Sequence, residues 1–271
     1  MGARVATASA PIGIFDSGVG GLTVYRAIAA ALPHESLCYL GDTARVPYGN
    51  KSPETVTRYS LEIGAFLAER GIKALVVACN TSSAVALPAL RARFGFPIIG
   101  VIEPGVEAAL AVTTNRRIGV IATAATIASQ AYAKTLKARA ADARIVSRAC
   151  PLFVPLVEEG WTDGAIVDAV IHRYLEPLRD EGIDTLILGC THYPLLAAGI
   201  GALLGSAVQL VDSGTAAAGA LRQILQQHGL FASPGAAPQH RLYVTDAASS
   251  FAQITSGILG QAVPAITTVT L

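Results

Sequence analysis

Charge is scarce in this sequence. Lys, Arg, Asp and Glu make up 14% of its 271 residues and nearly cancel, to a net +1. No Lys/Arg run or basic stripe stands out, so the electrostatic footprint that a nucleic-acid partner requires is missing. Long apolar runs are missing too. Stretches such as Ala74–Ala78 and Leu186–Leu188 end at polar or Gly residues, far short of the ~20 residues that span a bilayer, and no membrane partner is expected. Met1–Pro11 carries one Arg and no apolar block, so it does not read as a secretory signal. Ala6 stands where a myristoylation motif needs Ser or Thr. A cytoplasmic location is the expectation. Cysteine is also sparse: four thiols are too few for a disulfide framework. In a reducing compartment each is then a small core residue or a reactive group. No H-x-x-x-H pair and no C-x-x-C occur, and no Lys falls in a motif suggesting a pyridoxal Schiff base. Neither a metal nor an organic cofactor is expected.

What is abundant is apolar residue, 52% of the chain, ample for a sizeable core. Short apolar stretches predict strands at Ile12–Phe15, Leu37–Leu40, Ala74–Ala78, Ile98–Val101, Ile118–Ala122, Arg144–Ser147, Thr185–Leu188 and Gln209–Val211. Helical patterns between them cover Gly21–Ala31, Pro53–Arg70, Ser83–Arg93, Ile127–Arg139, Gly164–Asp180, Pro194–Leu204 and Thr215–His228. Alternation of this kind predicts βαβ units and parallel pairing. A weak internal repeat relates Ile12-Gly13-Ile14-Phe15 to Ile118-Gly119-Val120-Ile121, and Leu75–Cys79 to Leu186–Cys190, at nearly the same spacing. The expected class is therefore α/β, with two similar domains of mostly parallel sheets flanked by helices and an active site in the cleft between them. Phe231–Gln239 reads as a surface loop. Arg241–Leu271 reads as a strand, a helix at about Ala248–Leu259 and a loose end that returns to the first half. The first domain would then be discontinuous, residues 1–100 plus 213–271, with 101–212 as the second.

The repeat puts one thiol just past a strand end in each half, where open α/β sheets bind ligands. Cys79-Asn80-Thr81 and Cys190-Thr191-His192 each precede a helical pattern. A helix N-terminus would favour a thiolate and lower the thiol pKa, and its N–H groups, with Asn80, Thr81 and Thr191, could hold a carboxylate. One such Cys alone is more often a core residue; two in matched contexts reverse that weighting. Cys38 and Cys150 lack polar company and read as structural. Asp16-Ser17-Gly18-Val19-Gly20-Gly21 is a Gly-rich strand-to-helix turn that lacks both the dinucleotide pattern and the P-loop Lys. It reads either as a helix cap or as a carboxylate that orients a thiol or binds an amino group. Pro47-Tyr48-Gly49 is an ordinary turn or a cover over the cleft, and Asp42 and Arg45 could pair on the surface. His192 can share a proton with Cys190 or with an incoming amino group. Glu158 either orients His192 or is simply solvated.

Together, Phe15–Gly21, Gly41-Asp42 with Pro47-Tyr48-Gly49, Ala78–Thr81, Gly100–Gly105, Cys150–Gly160 and Gly189–Pro194 resemble the glutamate racemases of the aspartate/glutamate racemase family. The resemblance runs in order over nearly the whole chain. It implies cofactor-independent interconversion of L- and D-glutamate, supplying D-glutamate for peptidoglycan, by an enzyme that is usually a homodimer with its site between two α/β domains. It implies that Cys79 and Cys190 are the catalytic thiols, assisted by Asp16 and His192. Substrate contacts would fall on Asp16, Ser17, Pro47, Tyr48, Gly49, Cys79, Asn80, Thr81, Glu158, Thr191 and His192, with Thr123 and Thr126 nearby. Some relatives carry a longer amino-terminal extension linked to activation by a cell-wall precursor; the short Met1–Pro11 gives no expectation of it here. Two rival readings stay open. One is racemisation of aspartate, against which the Cys-Thr-His-Tyr-Pro stretch weighs. The other is a binding module in which the two Cys merely line a ligand cleft.

Overall fold

In the computed structural model, residues 7–235, 237–246, 248–260 and 264–271 are described. The readings of Met1–Ala6 lie outside them. Among the described residues, ten strands form two sheets, and every pairing is parallel. The strands are β1 (Ile12–Asp16), β2 (Leu37–Gly41), β3 (Ala74–Val77), β4 (Ile98–Gly100), β5 (Arg117–Ala122), β6 (Arg144–Ala149), β7 (Thr185–Gly189), β8 (Gln209–Asp212), β9 (His240–Val244) and β10 (Ile266–Thr268). The first sheet runs β10-β9-β2-β1-β3-β4 and the second β6-β5-β7-β8. The order 2-1-3-4 thus recurs as 6-5-7-8. In both sheets the glycine of the central strand lies opposite a leucine, Gly13 against Leu75 and Gly119 against Leu186. The repeat noted in the sequence is a repeat of topology and register. Strands β1, β3 and β7 are buried along their whole length, as strands covered on both faces must be, which is why they read as unbroken apolar runs.

Between the strands lie α1 (Leu22–Ala31), α2 (Pro53–Glu69), α3 (Asn80–Val85), α4 (Leu87–Arg93), α5 (Ile102–Val112), α6 (Ala124–Ser129), α7 (Ala131–Arg139), α8 (Phe153–Glu158), α9 (Ala165–Arg179), α10 (Ala197–Leu204), α11 (Ser213–Gln227) and α12 (Ala248–Leu259). Local chemistry explains the clearest starts. Ser52 caps α2 by accepting from the Thr55 N–H, with Pro53 opening the helix and Glu54 in its first turn. Asp212 caps α11 through the N–H groups of Gly214 and Thr215 (2.9 and 3.0 Å). Three expected helices differ. Ser83–Arg93 is two helices, starting earlier at Asn80 and broken at Ala86, with Pro88 in the first turn of the second. Ile127–Arg139 is broken by Gln130, which takes the left-handed conformation at φ 58°. Pro194–Leu204 begins as a 3₁₀ turn, Tyr193–Leu196. Helix α5 is not among the helices the sequence pattern predicts; Pro104 falls in its first turn, where its missing N–H costs no helical bond.

Helices α1, α11 and α12 cover one face of the first sheet around Ile14, Tyr39, Val76 and Leu242, while α2 and α4 cover the other around Phe15, Leu40 and Val77. The second sheet has its own cores on its two faces. Each fully buried Leu, Ile, Val or Phe contributes about 1.5–3 kcal/mol. Cys38 and Cys150 are buried in these cores, and burial pushes their thiols up to about 11 and about 12. No helix among the described residues is long and apolar enough to cross a membrane.

At the end of the first sheet remote from the thiols, Lys73 is fully buried against Glu35. Its ammonium also donates to the Ala8 carbonyl (2.6 Å), and Glu35 accepts from the Ala232 N–H (2.8 Å). This pair ties the start of the chain and the 231–239 stretch to the strand ends. Removing one partner strands the other charge in the core. Lys73→Ala should therefore lower stability by about 3–5 kcal/mol, read from the urea midpoint; a loss below about 1 kcal/mol would be the value of a surface pair and would contradict this role.

Candidate active site

Both repeat thiols open onto one cavity of about 320 Å³. That is near the lower end of the ~300–1,000 Å³ typical of small-molecule sites, suited to a ligand of amino-acid size. Cys79 comes from the end of the first sheet, one residue beyond the position that follows β3, and Cys190 immediately follows β7 of the second. Around them the cavity is lined by Asp16, Ser17, Pro47, Tyr48, Gly49, Asn80, Thr81, Thr123, Glu158, Thr191 and His192. Of the residues expected to touch a ligand, Thr126 alone does not line it. It sits behind, its hydroxyl 3.2 Å from that of Thr81 and 3.0 Å from that of Thr123. Asn50 and the apolar side chains Val46, Ala124, Pro151, Val154 and Pro155 complete the wall. Sequence reasoning missed these, and no chemistry marks the apolar ones.

Two glycines make the enclosure possible. A Cβ on Gly20 would sit 2.5 Å from Nδ1 of His192 and closer still to the Thr191 hydroxyl. One on Gly49 would meet Cβ of Thr123 at 2.8 Å. In both cases a loop of the first sheet touches a turn of the second. Hydrogen bonds hold the same seam: the Thr23 hydroxyl donates to the Thr191 carbonyl (2.9 Å), and the Thr81 and Thr123 hydroxyls are 3.0 Å apart.

The two thiols have different surroundings. Cys79 caps α3 and its sulfur accepts from the Ser82 N–H (3.5 Å). The sequence led us to expect a lowered pKa from this position; instead burial, reinforced by the nearby Asp16, pushes the thiol up to about 12. One N–H at the end of a six-residue helix does not offset the loss of water. Cys190 precedes a 3₁₀ turn, and α10 starts only at Ala197, so no α-helix N-terminus serves it directly. Its partner is a side chain: Nδ1 of His192 lies 3.7 Å from Sγ, and Nε2 of the same ring lies 3.2 Å from Glu158. Burial pulls the imidazole pKa down, yet the bonds to Cys190 and Glu158 outweigh it and raise the value to about 10.

Asp16 combines both roles considered for it. Its Oδ2 accepts from the N–H groups of Gly18 and Gly21 (3.1 and 3.0 Å), holding the Gly-rich turn. Its Oδ1 has no protein partner among the described residues. Burial raises its pKa against the pull of His192 and of the N–H groups of Gly18, Gly21 and Ser17. Asn80 is likewise buried with its Nδ2 unpartnered. Tyr48 presents its ring and backbone, because its hydroxyl is bonded to Asp42. Asp42 is itself buried, not the surface partner expected for Arg45; it also accepts from Arg45 (2.7 Å) and from Thr245 (2.9 Å). Among the described residues, no cluster of three or more His, Cys, Asp or Glu could hold a metal ion.

Residues 12–221 match the Asp/Glu/hydantoin racemase family. The chain is 54% identical over 249 residues to a glutamate racemase from Geobacter metallireducens, with 92% of each chain covered. Among solved structures it is similar to a glutamate racemase isoform from Bacillus anthracis, at 44% identity and a TM-score of 0.94 over 97% of this chain and 98% of that one. It is also similar to glutamate racemase from Francisella tularensis in complex with D-glutamate, at 37% identity and a TM-score of 0.91 over the same shares.

The raised His192 pKa carries a pH dependence. The folded value of about 10 exceeds the ordinary 6.5, so the stabilisation is complete below pH 6.5 and is lost as pH rises through about 10. Glu158→Gln removes one cause of the rise. The imidazole titration, followed by NMR at Cε1, should move to lower pH, and the alkaline loss of stability should be smaller and complete at lower pH. An unmoved titration would show that Glu158 does not hold the ring.

Proposed function

We propose that this chain, which belongs to the Asp/Glu/hydantoin racemase family, is a glutamate racemase that interconverts the L and D enantiomers without a cofactor, using Cys79 and Cys190 as opposed acid/bases. The observation that carries this reading is that both thiols, from two separate sheets, line one cavity of amino-acid size. Inversion at Cα needs a proton removed from one face and another delivered to the opposite face, hence two acid/bases. Lacking an electron sink, the site must stabilise carbanionic charge at the α-carboxylate with fixed donors. Ser17, Asn80, Thr81 and Thr191 suit that task by residue type and by their place in the cavity wall. Pro47, Tyr48, Gly49 and Thr123 enclose the substrate, Thr126 braces the hydroxyls, and Val46, Val154 and Pro155 face its methylene groups.

Cys79, its thiol held at about 12, enters the cycle as the acid. That fits a first turnover in which Cys190, assisted by His192 and Glu158, takes the proton from L-glutamate while Cys79 supplies the new one. In the reverse direction Cys79, assisted by Asp16, acts on D-glutamate after giving up its own proton. The same reading includes the expected homodimer, the supply of D-glutamate for peptidoglycan, a cytoplasmic site of action, and two domains at residues 1–100 with 213–271 and at 101–212.

Cys79→Ala and Cys190→Ala should each lower racemisation by at least ~10²-fold while binding of a substrate analogue persists. In deuterated water, exchange at Cα should survive for L-glutamate alone in Cys79→Ala and for D-glutamate alone in Cys190→Ala. Exchange of both enantiomers in both variants would contradict the two-base assignment, and activity on aspartate alone would displace glutamate as substrate.

A further inference from the structure

Tyr132 bridges the two thiol-bearing turns without lining the cavity. It stands in the first turn of α7, just after the break at Gln130, and is buried in the core between β5 and α5. Its hydroxyl donates to Oδ1 of Asn80 at 2.6 Å, the residue next to Cys79. Its ring covers Gly189, the residue before Cys190: a Cβ there would meet Cε2 of Tyr132 at 3.0 Å and the Ile121 carbonyl at 2.8 Å. One side chain of the second sheet's layer therefore touches the neighbours of both sulfurs.

The bond to Oδ1 decides which way the Asn80 amide faces. With the carbonyl oxygen taken by a donor, Nδ2 is the end that remains; it is buried and has no partner among the described residues, in a residue that lines the cavity. Were the amide turned over, the Tyr132 hydroxyl would have to accept from Nδ2 and give its proton to Ser213, its other side-chain partner, and an acceptor would face an incoming carboxylate. Burial keeps the Tyr132 hydroxyl protonated well above the ordinary tyrosine range, so it remains a donor throughout the working pH range.

Resting on the racemase reading above, we infer that Tyr132 is a positioning residue that fixes Asn80 as a donor to the substrate carboxylate and, through Gly189, sets the spacing of the Cys79 and Cys190 turns. It touches neither the substrate nor the reacting atoms, and it acts equally on both enantiomers because it is tied to both turns. That carboxylate is charged before as well as during proton transfer, so most of the Asn80 bond is present in the ground state and only the carbanionic increment is added in the transition state; loss of an oriented donor therefore falls on KM more than on kcat.

The test is Tyr132→Phe, which keeps the ring and removes the hydroxyl. KM for both glutamate enantiomers should rise about tenfold, with kcat changed less than about threefold, the loss expected for one hydrogen bond to a charged group. Asn80→Ala should raise KM similarly, and the double variant should be no worse than the poorer single one, since each change removes the same oriented donor. Position 132 carrying p-aminophenylalanine, whose amine can still donate, should restore the KM; it also serves as the test protein if Tyr132→Phe folds poorly. Unchanged KM in Tyr132→Phe, or full additivity with Asn80→Ala, would overturn the proposal while leaving the racemase reading intact. An inactive wild-type protein on glutamate would overturn that reading, and this proposal with it.

Discussion

Two strand ends from different sheets face one small cavity, and the contact that encloses it is the seam between their loops. Gly20 lies so close to Thr191 and His192, and Gly49 so close to Thr123, that neither position has room for a Cβ. Behind the seam each sheet has its own apolar cores, covered on both faces. Across it run the bonds of Thr23 to the Thr191 carbonyl, Thr81 to Thr123, and Tyr132 to Asn80. The cavity is enclosed because backbone approaches side chain there. A repeated 2-1-3-4 strand order supplies the matched positions of Cys79 and Cys190, and the small residues of the seam bring those positions together.

A duplicated scaffold does not make duplicate thiols. Cys79 is held by one backbone N–H and faces a carboxylate, in a setting dry enough to keep it protonated. Cys190 is paired with an imidazole that is itself anchored to Glu158. Asp16 and His192 lie close enough to influence one another electrostatically, so charges on the two sides of the cavity are coupled. On the proposed reading, a substrate carrying one ammonium and two carboxylates would enter a site whose surroundings are already asymmetric. Desolvation is the dominant influence on Cys79, and it overrides the helix-end effect that the local sequence suggests.

The scaffold was legible because parallel strands covered on both faces need unbroken apolar runs, as at Leu75-Val76-Val77 and Leu186-Ile187-Leu188. The two thiols stood out as candidates because Cys79 and Cys190 lie at repeat-related positions against an apolar background. Breaks within helices were harder to see. Gln130 adopts a left-handed conformation that no residue-type signal announces, and α5 holds Pro104 and Gly105 within its first turn. Residues that act through shape or through another residue left no local trace. Val154 and Pro155 look like any apolar pair, and Tyr132 is far in sequence from the Asn80 that it orients. Buried Asp42 shows the same limit: its neighbour Arg45 suggested a surface pair, whereas Tyr48 and the distant Thr245 draw it inside.

The account turns on two separate proton carriers facing one carbon. Its most direct test is the fate of the Cα proton in wild-type protein during the earliest part of turnover in deuterated water, read by mass spectrometry of both enantiomers. Two opposed thiols predict product that carries deuterium from its first appearance, while the remaining substrate keeps its protium. Product that retains the original protium would mean that one group carries the proton from face to face, and would contradict the arrangement of Cys79 and Cys190 on which the rest is built.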